Sequence, residues 1–236
     1  MAGVFYCHCV NFSKLAILQF QTILTAAQFV NQFVQDIRVA GIPEWVAVVS
    51  GIVSVYFSRK ENVLVYPTGL LNTILYVYLS FSQHLMGEAT VNFYYTVMSL
   101  YGWWQWSRKD QQHQVILHVT GSNRQFWLMQ LTFFGICYAA MYAALVYLQA
   151  NFYPGAIPWA DAFASATAFT GMWLMTRKKV ESWYWWIATN MASIPLYFVK
   201  HFALTSVYYL ILLFMAIQGL QEWKRKEVSS TQPISQ

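Results

Sequence analysis

The sequence predicts an all-α membrane protein in which seven transmembrane helices form a three-plus-one-plus-three parallel repeat behind an N-terminal amphipathic helix. Three observations carry this reading. Of 236 residues, 58% are apolar, 19% aromatic and only 10% charged, where soluble domains carry roughly 25% charge. After Pro43 the apolar residues fall into seven stretches of helical length, with basic residues confined to short clusters between them. A group of residues also recurs at one fixed offset, as a duplicated helical unit requires.

The segment from 11 to about 37 comes first. Phe12, Leu15, Ile23, Ala27, Val30, Val34 and Ile37 recur at helical spacing, and Lys14, Gln21, Gln28, Gln32 and Gln35 run opposite them. So wide a polar face suits a helix lying in the interface or packed on a bundle. A basic start, a compact apolar run and a small-residue cleavage site are lacking, so the segment does not read as a signal peptide. Before it, Cys7, His8 and Cys9 stand too close for an ordinary disulfide and lack a fourth ligand for a metal site.

The seven spans cover about 44 to 58, 62 to 81, 86 to 106, 126 to 149, 158 to 175, 181 to 200 and 203 to 223. The first is short, about 22 Å of helix, and needs extended ends or a thinned bilayer. Arg59 and Lys60 follow the first span, Arg108 and Lys109 the third, Arg177 to Lys179 the fifth, and Lys224 to Lys226 the seventh. All four clusters therefore face one side, the cytoplasmic one, with the C-terminal tail inside and residue 43 outside. The net charge of +5 is thus a topology signal, and no nucleic-acid partner is expected.

Gly102, Trp106, Arg108 and Lys109 recur 117 residues later as Gly219, Trp223, Arg225 and Lys226. Glu44 and Asp161 share that offset, as do His84 and His201. Asn72 and Asn190 fall at similar depth with a slip of one or two residues. An odd number of spans per unit and one helix between them give two units of like orientation, with a substrate site expected between the halves near midplane. The organisation is an interfacial helix over 1–40, a three-helix unit over 41–110, a linker helix within 111–155, a second unit over 156–226 and a disordered tail over 227–236.

The candidate site centres on V-E-S-W-Y-W-W-I-A-T-N, residues 180–190. Trp183, Trp186 and Asn190 sit at i, i+3 and i+7 and share one helix face. Counted from Lys179, Trp186 lies roughly 10 Å and Asn190 roughly 16 Å into a hydrocarbon core about 30 Å thick. Two indoles and an amide at that depth fit a pocket for a flat, polar-edged solute. The alternative is an aromatic belt, which accounts for Trp183 and Trp185 but poorly for Asn190. Thr167 and Thr170 are weaker candidates, since Thr also serves packed helix interfaces.

What the spans lack is equally informative. No Lys or Arg lies inside one, so nothing there would neutralise a phosphate. Glu44, Glu88, Asp161 and Glu181 fall at span ends, where capping or solvation explains them. Without acids near midplane, proton or sodium coupling is not expected. His84 and His201 read as interfacial or as a gate pair, and Pro195 as a hinge or an accommodated kink. With no paired acids, no His pair at i, i+4 and no G-x-S-x-G in the spans, the chain does not read as an enzyme, and no cofactor is expected.

R-K-K-V-E-S-W-Y-W-W-I-A-T-N at 177–190, Y-G-W-W-Q-W-S-R at 101–108 and the three-one-three order together resemble the PnuC family of bacterial vitamin transporters. The resemblance covers Trp45 to Lys226. It implies a fold like a full-length SWEET sugar transporter, a homotrimer in the inner membrane, and facilitated diffusion of nicotinamide riboside. A cytoplasmic kinase would trap the riboside by phosphorylation for NAD synthesis. Trp183, Trp186 and Asn190 match the family's tryptophan pair and midplane asparagine, and Asn72 matches an asparagine of the second span. Asn92 stands where relatives often have Gln, Ser99 where some have Asn, and Ser182 replaces the Asn of E-N-W.

For such a ligand the two indoles form a stacking wall for the pyridinium, with a cation-π attraction of roughly 0.5 to 2 kcal/mol, and Tyr95 or Trp103 supplies an opposite face. Asn72, Asn92 and Asn190 both donate and accept, which suits ribose hydroxyls and a carboxamide. Each is equally explained as a helix-to-helix hydrogen bond. The departures from the family pattern leave thiamine and riboflavin open as substrates, and a SWEET-type sugar permease is the rival by architecture.

Overall fold

The computed structural model describes residues 26–82, 86–109, 116–151, 157–200 and 202–231. Among them are eight α-helices and no strand: α1 Ala26–Val39, α2 Ile42–Arg59, α3 Val65–Ser82, α4 Met86–Ser107, α5 Arg124–Asn151, α6 Pro158–Thr176, α7 Ser182–Val199 and α8 Ala203–Thr231. Helices α2 to α8 coincide with the seven predicted stretches. Of the predicted N-terminal helix only α1 lies within the described residues. Cys7, His8, Cys9, His84 and His201 fall outside them.

One boundary is corrected. Helix α8 continues to Thr231, into the stretch expected to be a disordered tail from 227. Tertiary contacts hold its last turns in line, since Lys226 Nζ reaches Glu61 at 2.6 Å and the Trp223 indole is fully buried.

Part of the burial pattern is inverted relative to a water-soluble bundle. On α3, Thr73 and Ser80 are buried while Ile74 and Tyr78 are 54% and 64% exposed. Polar groups thus turn inward and large apolar ones outward, as lipid in place of water demands. By length and composition α5 and α8 are apolar enough to cross a membrane, or three spans if α1 and α2, bent 109° to one another, count as one. The remaining helices carry more Asn, Ser, Thr, Tyr and Trp.

Helix α2 packs on α3 and α3 on α4, and likewise α6 on α7 and α7 on α8. The two triplets meet through α4 against α6 and α8 against α2, one contact made twice, as a twofold relation requires. Helix α5 packs along α6, and α1 touches α8.

Side chains at both ends of the bundle repeat the same symmetry. Each triplet opens with a proline in its first turn, Pro43 or Pro158, followed by an acid, Glu44 or Asp161. Its first helix is followed by a residue in the left-handed region, Glu61 at φ 54° and Lys178 at φ 50°, which costs a non-glycine residue about 1 kcal/mol or more. Those two residues are 117 apart and form an ion pair at 3.3 Å. Burial lowers the pKa of the Lys178 ammonium, and Glu61 opposes that shift. Ser58 and Met175, also 117 apart, touch through Oγ and Sδ at 3.0 Å. Trp106 Nε1 donates to the Thr176 carbonyl and Trp223 Nε1 to those of Ser58 and Arg59, each at 3.2 Å.

Candidate functional site

Between the triplets lies a cavity of about 1230 Å³ lined from α1 to α8. Its floor, toward the basic end, is an aromatic layer built twice. The Tyr66 ring lies against Gly102 and edge-on to Trp106 at 5.2 Å, and the Trp183 indole lies against Gly219 and edge-on to Trp223 at 5.5 Å. Glycine is required at both positions, since a Cβ at 219 would stand 2.5 Å from Trp183 and one at 102 would collide with Tyr66. Tyr66 is thus the counterpart of Trp183 in the first triplet.

Helix α7 carries the predicted stripe into the cavity. Trp183 and Asn190 are 1% and 3% exposed, Trp186 is partly buried, and all three line the wall. The Trp186 indole lies against Gly171 of α6, with the Tyr95 ring of α4 at 5.9 Å. Trp185 turns the other way, donating from Nε1 to Gln130 of α5 at 3.1 Å. Among the described residues buried Trp183 Nε1 has no hydrogen-bond partner. The Asn190 amide makes none of the hydrogen bonds found among the described residues.

The other predicted residues divide. Asn72 lines the cavity, but its Nδ2 donates to the Ala47 carbonyl of α2 at 2.6 Å, so it ties two helices together. The Tyr208 hydroxyl stands beside it, over Gly51. Asn92 Nδ2 bonds the Glu88 carbonyl one turn back at 2.9 Å. Tyr95 and Ser99 both line the wall.

Trp103 and Thr170 do not line it. The inward face of α4 runs through Asn92, Tyr95, Ser99, Gly102 and Trp106, and Trp103, one position beyond Gly102, is turned about 100° away and is 39% exposed. Thr170 is fully buried and bonds the Ala166 carbonyl within its own helix at 2.8 Å. Thr167 pairs with Thr189 of α7 at 3.0 Å, an interhelical tie. Pro195 is accommodated within an unbroken α7.

At the end opposite the floor the wall carries charges, among them the span-end acids Glu44, Glu88 and Asp161 and, against the expectation of spans free of Lys and Arg, a cation, Lys200. Asp36, Glu44, Glu88, Asp161 and Lys200 all line the cavity there. Lys200 Nζ pairs with Asp161 at 2.6 Å, and Asp161 also accepts the Ile157 N–H. Asp36 accepts from Gln32 and from the Leu204 N–H at the start of α8. Glu88 Oε1 accepts the Tyr197 hydroxyl at 2.9 Å. Tyr197 stacks on Tyr209 at 5.2 Å, and Tyr76 and Tyr208 complete a tyrosine-rich upper wall. Tyrosines near span ends look like an interfacial belt in sequence, so nothing there distinguishes these from lipid-facing ones. Glu181, by contrast, serves the linker, accepting the Ser122 N–H and hydroxyl at 2.7 Å each.

Residues 41–225 match the family model described as nicotinamide mononucleotide transporter. The nicotinamide riboside transporter PnuC of Escherichia coli (strain K12) is 24% identical over 206 residues, covering 76% of this chain and 84% of that one. The riboflavin/roseoflavin transporter RibM of Streptomyces davaonensis is 22% identical over 188 residues, covering 78% and 85%. The PnuC of Neisseria mucosa is 27% identical over 162 residues, covering 66% and 60%. A crystal structure of the vitamin B3 transporter PnuC shares the fold, with a TM-score of 0.66 at 21% identity over 85% of this chain and 88% of that one.

Proposed function

The chain belongs to the nicotinamide mononucleotide transporter family, that of PnuC, a family of transporters and not enzymes, and on that premise we propose that it carries nicotinamide riboside across the bacterial inner membrane. The observation that carries the reading is the α7 stripe. Trp183, Trp186 and Asn190 share one cavity wall, and among the described residues the buried Trp183 N–H has no hydrogen-bond partner and the Asn190 amide makes none of the hydrogen bonds found. Buried polar groups are nearly always satisfied, so two left open on one wall await a ligand that offers acceptors and donors. The riboside brings a carboxamide and ribose hydroxyls to them and a flat cation to the indoles.

The proposal extends to the architecture. Helices α2 to α8 are seven membrane spans in the order three, one, three, like a full-length SWEET transporter, with α1 in the interface. The basic end and the C-terminus face the cytoplasm, three copies associate, and transport is facilitated diffusion with trapping by a cytoplasmic kinase. The paired contacts α4 on α6 and α8 on α2 support the parallel repeat. The gathering of Arg59, Lys178 and Lys226 with Glu222 and Glu61 at one end supports the orientation.

The RibM relative and the size of the cavity favour riboflavin as the second reading. Titration of the purified protein with the riboside, thiamine, riboflavin and glucose, followed by tryptophan fluorescence or calorimetry, decides. The riboside is expected to bind tightest and nicotinamide mononucleotide not at all. Tighter binding of riboflavin or thiamine moves the assignment within the family, and glucose binding alone overturns it.

A further inference from the structure

The two triplets share a register but present different chemistry to the cavity. At the offset of 117 residues Ser54, Tyr66, Gly69 and Ser99 correspond to Gly171, Trp183, Trp186 and Ala216. The second triplet is aromatic at this level, and its Trp186 indole lies on the bare backbone of Gly171. The first triplet reverses the arrangement. Glycine stands where that indole is, hydroxyls stand where glycine and alanine are, and all four residues line the cavity.

The hydroxyls converge. A Cβ on Gly69 would stand 3.0 Å from Ser54 Oγ and 3.9 Å from Ser99 Oγ, so α2 and α4 each bring an oxygen over the open backbone of α3. Ser54 Oγ donates to the Val65 carbonyl at 2.8 Å and keeps lone pairs to accept with. Ser99 is 3% exposed and makes none of the hydrogen bonds found among the described residues. One turn nearer the floor the Tyr66 hydroxyl lies over Gly102. Tyr66 is 1% exposed, and among the described residues its hydroxyl has no partner. Buried polar groups are nearly always satisfied, so two left open beside a glycine that admits close approach mark a place for a ligand carrying hydroxyls. The ring site lies alongside, since Tyr95, whose ring is 5.9 Å from Trp186, is one turn from Ser99 on α4.

We infer that the duplicated scaffold is specialised in opposite directions, the second triplet stacking the flat ring while Ser99, Tyr66 and the Gly69 backbone of the first receive the ribose hydroxyls. The inference rests on the transport reading above and gives the sugar its own subsite, leaving the carboxamide to Asn190. Such a subsite discriminates against a ligand without the sugar, because its own polar groups then stay unpaired.

The test compares nicotinamide riboside with 1-methylnicotinamide, which keeps the cationic ring and the carboxamide but lacks the sugar. Wild-type protein is expected to bind the riboside at least about tenfold more tightly. Ser99→Ala and Tyr66→Phe each lower riboside affinity about five- to tenfold and leave 1-methylnicotinamide within about twofold. Gly69→Ala, whose methyl occupies the subsite, shows the same selectivity of effect. Equal weakening of both ligands overturns the assignment, as does an unchanged riboside affinity in Ser99→Ala and Gly69→Ala. Should the variants fail to fold, the wild-type titrations decide, and equal affinity for the two ligands overturns it. Wild-type protein that binds neither ligand overturns the transport reading itself, a result distinct from a lost preference.

Discussion

A buried amide that makes no hydrogen bond costs free energy that a bound ligand recovers, and among the described residues Asn190 makes none while Asn72 does. The two asparagines therefore respond oppositely to removal of the amide. Asn190→Leu is expected to leave thermal stability within about 1 kcal/mol, since no protein hydrogen bond is lost, and to weaken riboside binding tenfold or more, about the worth of one buried hydrogen bond. Asn72→Leu breaks the tie to Ala47 and lowers stability by about 0.6 to 2 kcal/mol, with the smaller effect on affinity. Melting curves and titrations of both variants check the pair. Trp186→Ala, which removes the ring facing Tyr95, is expected to weaken binding about thirtyfold. Gly219→Ala disturbs Trp183 without replacing it. The added methyl displaces the indole, with a loss of about 1 to 3 kcal/mol in stability and a matching loss of affinity.

At the scale of elements, the helices are held by contacts that come in twofold pairs. The turn after α2 and the turn after α6 each need a left-handed residue, and the ion pair between Glu61 and Lys178 fixes both turns at once, with Lys226 of α8 on the other carboxylate oxygen. Glu61→Lys is expected to lower the melting temperature, because it gathers three cations at one point. Combination with Lys178→Glu restores part of the loss, with a coupling of about 0.5 to 3 kcal/mol in a double-mutant cycle. Additive losses would show that the pair does not join the triplets. The inverted face of α3, with Thr73 and Ser80 inward and Ile74 and Tyr78 outward, belongs to this scale too, since it suits the helix to lipid on one side and a polar cavity on the other.

For the whole molecule, the transport we propose proceeds by relative movement of the two triplets around one cavity, with the aromatic floor of Tyr66, Trp106, Trp183 and Trp223 closing one side. Vesicles containing the protein and an enclosed kinase are expected to accumulate riboside as its phosphate, at a rate unaffected by a proton gradient. Accumulation above the outside level without kinase, driven by such a gradient, would show coupling. Much of this frame is legible in the sequence. Apolar length, basic clusters and the 117-residue offset are properties of the chain itself, and they give the helices and the paired glycines and tryptophans. The α7 stripe is legible because spacing alone puts Trp183, Trp186 and Asn190 on one face. The rest depends on which faces meet. In the fixed register Tyr66 stands opposite Trp183 and Thr73 opposite Asn190, matches that residue identity hides. Trp103 and Thr170 leave the wall by a rotation of their helices. The partner of Asn72, the tyrosine wall and the Tyr197 hydrogen bond to Glu88 arise between helices that pack together rather than within one helix. Periodicity fixes which residues share a face of one helix, because that is local geometry. Only packing decides whether a face meets lipid, another helix or a cavity, because that depends on how all the helices are rotated together.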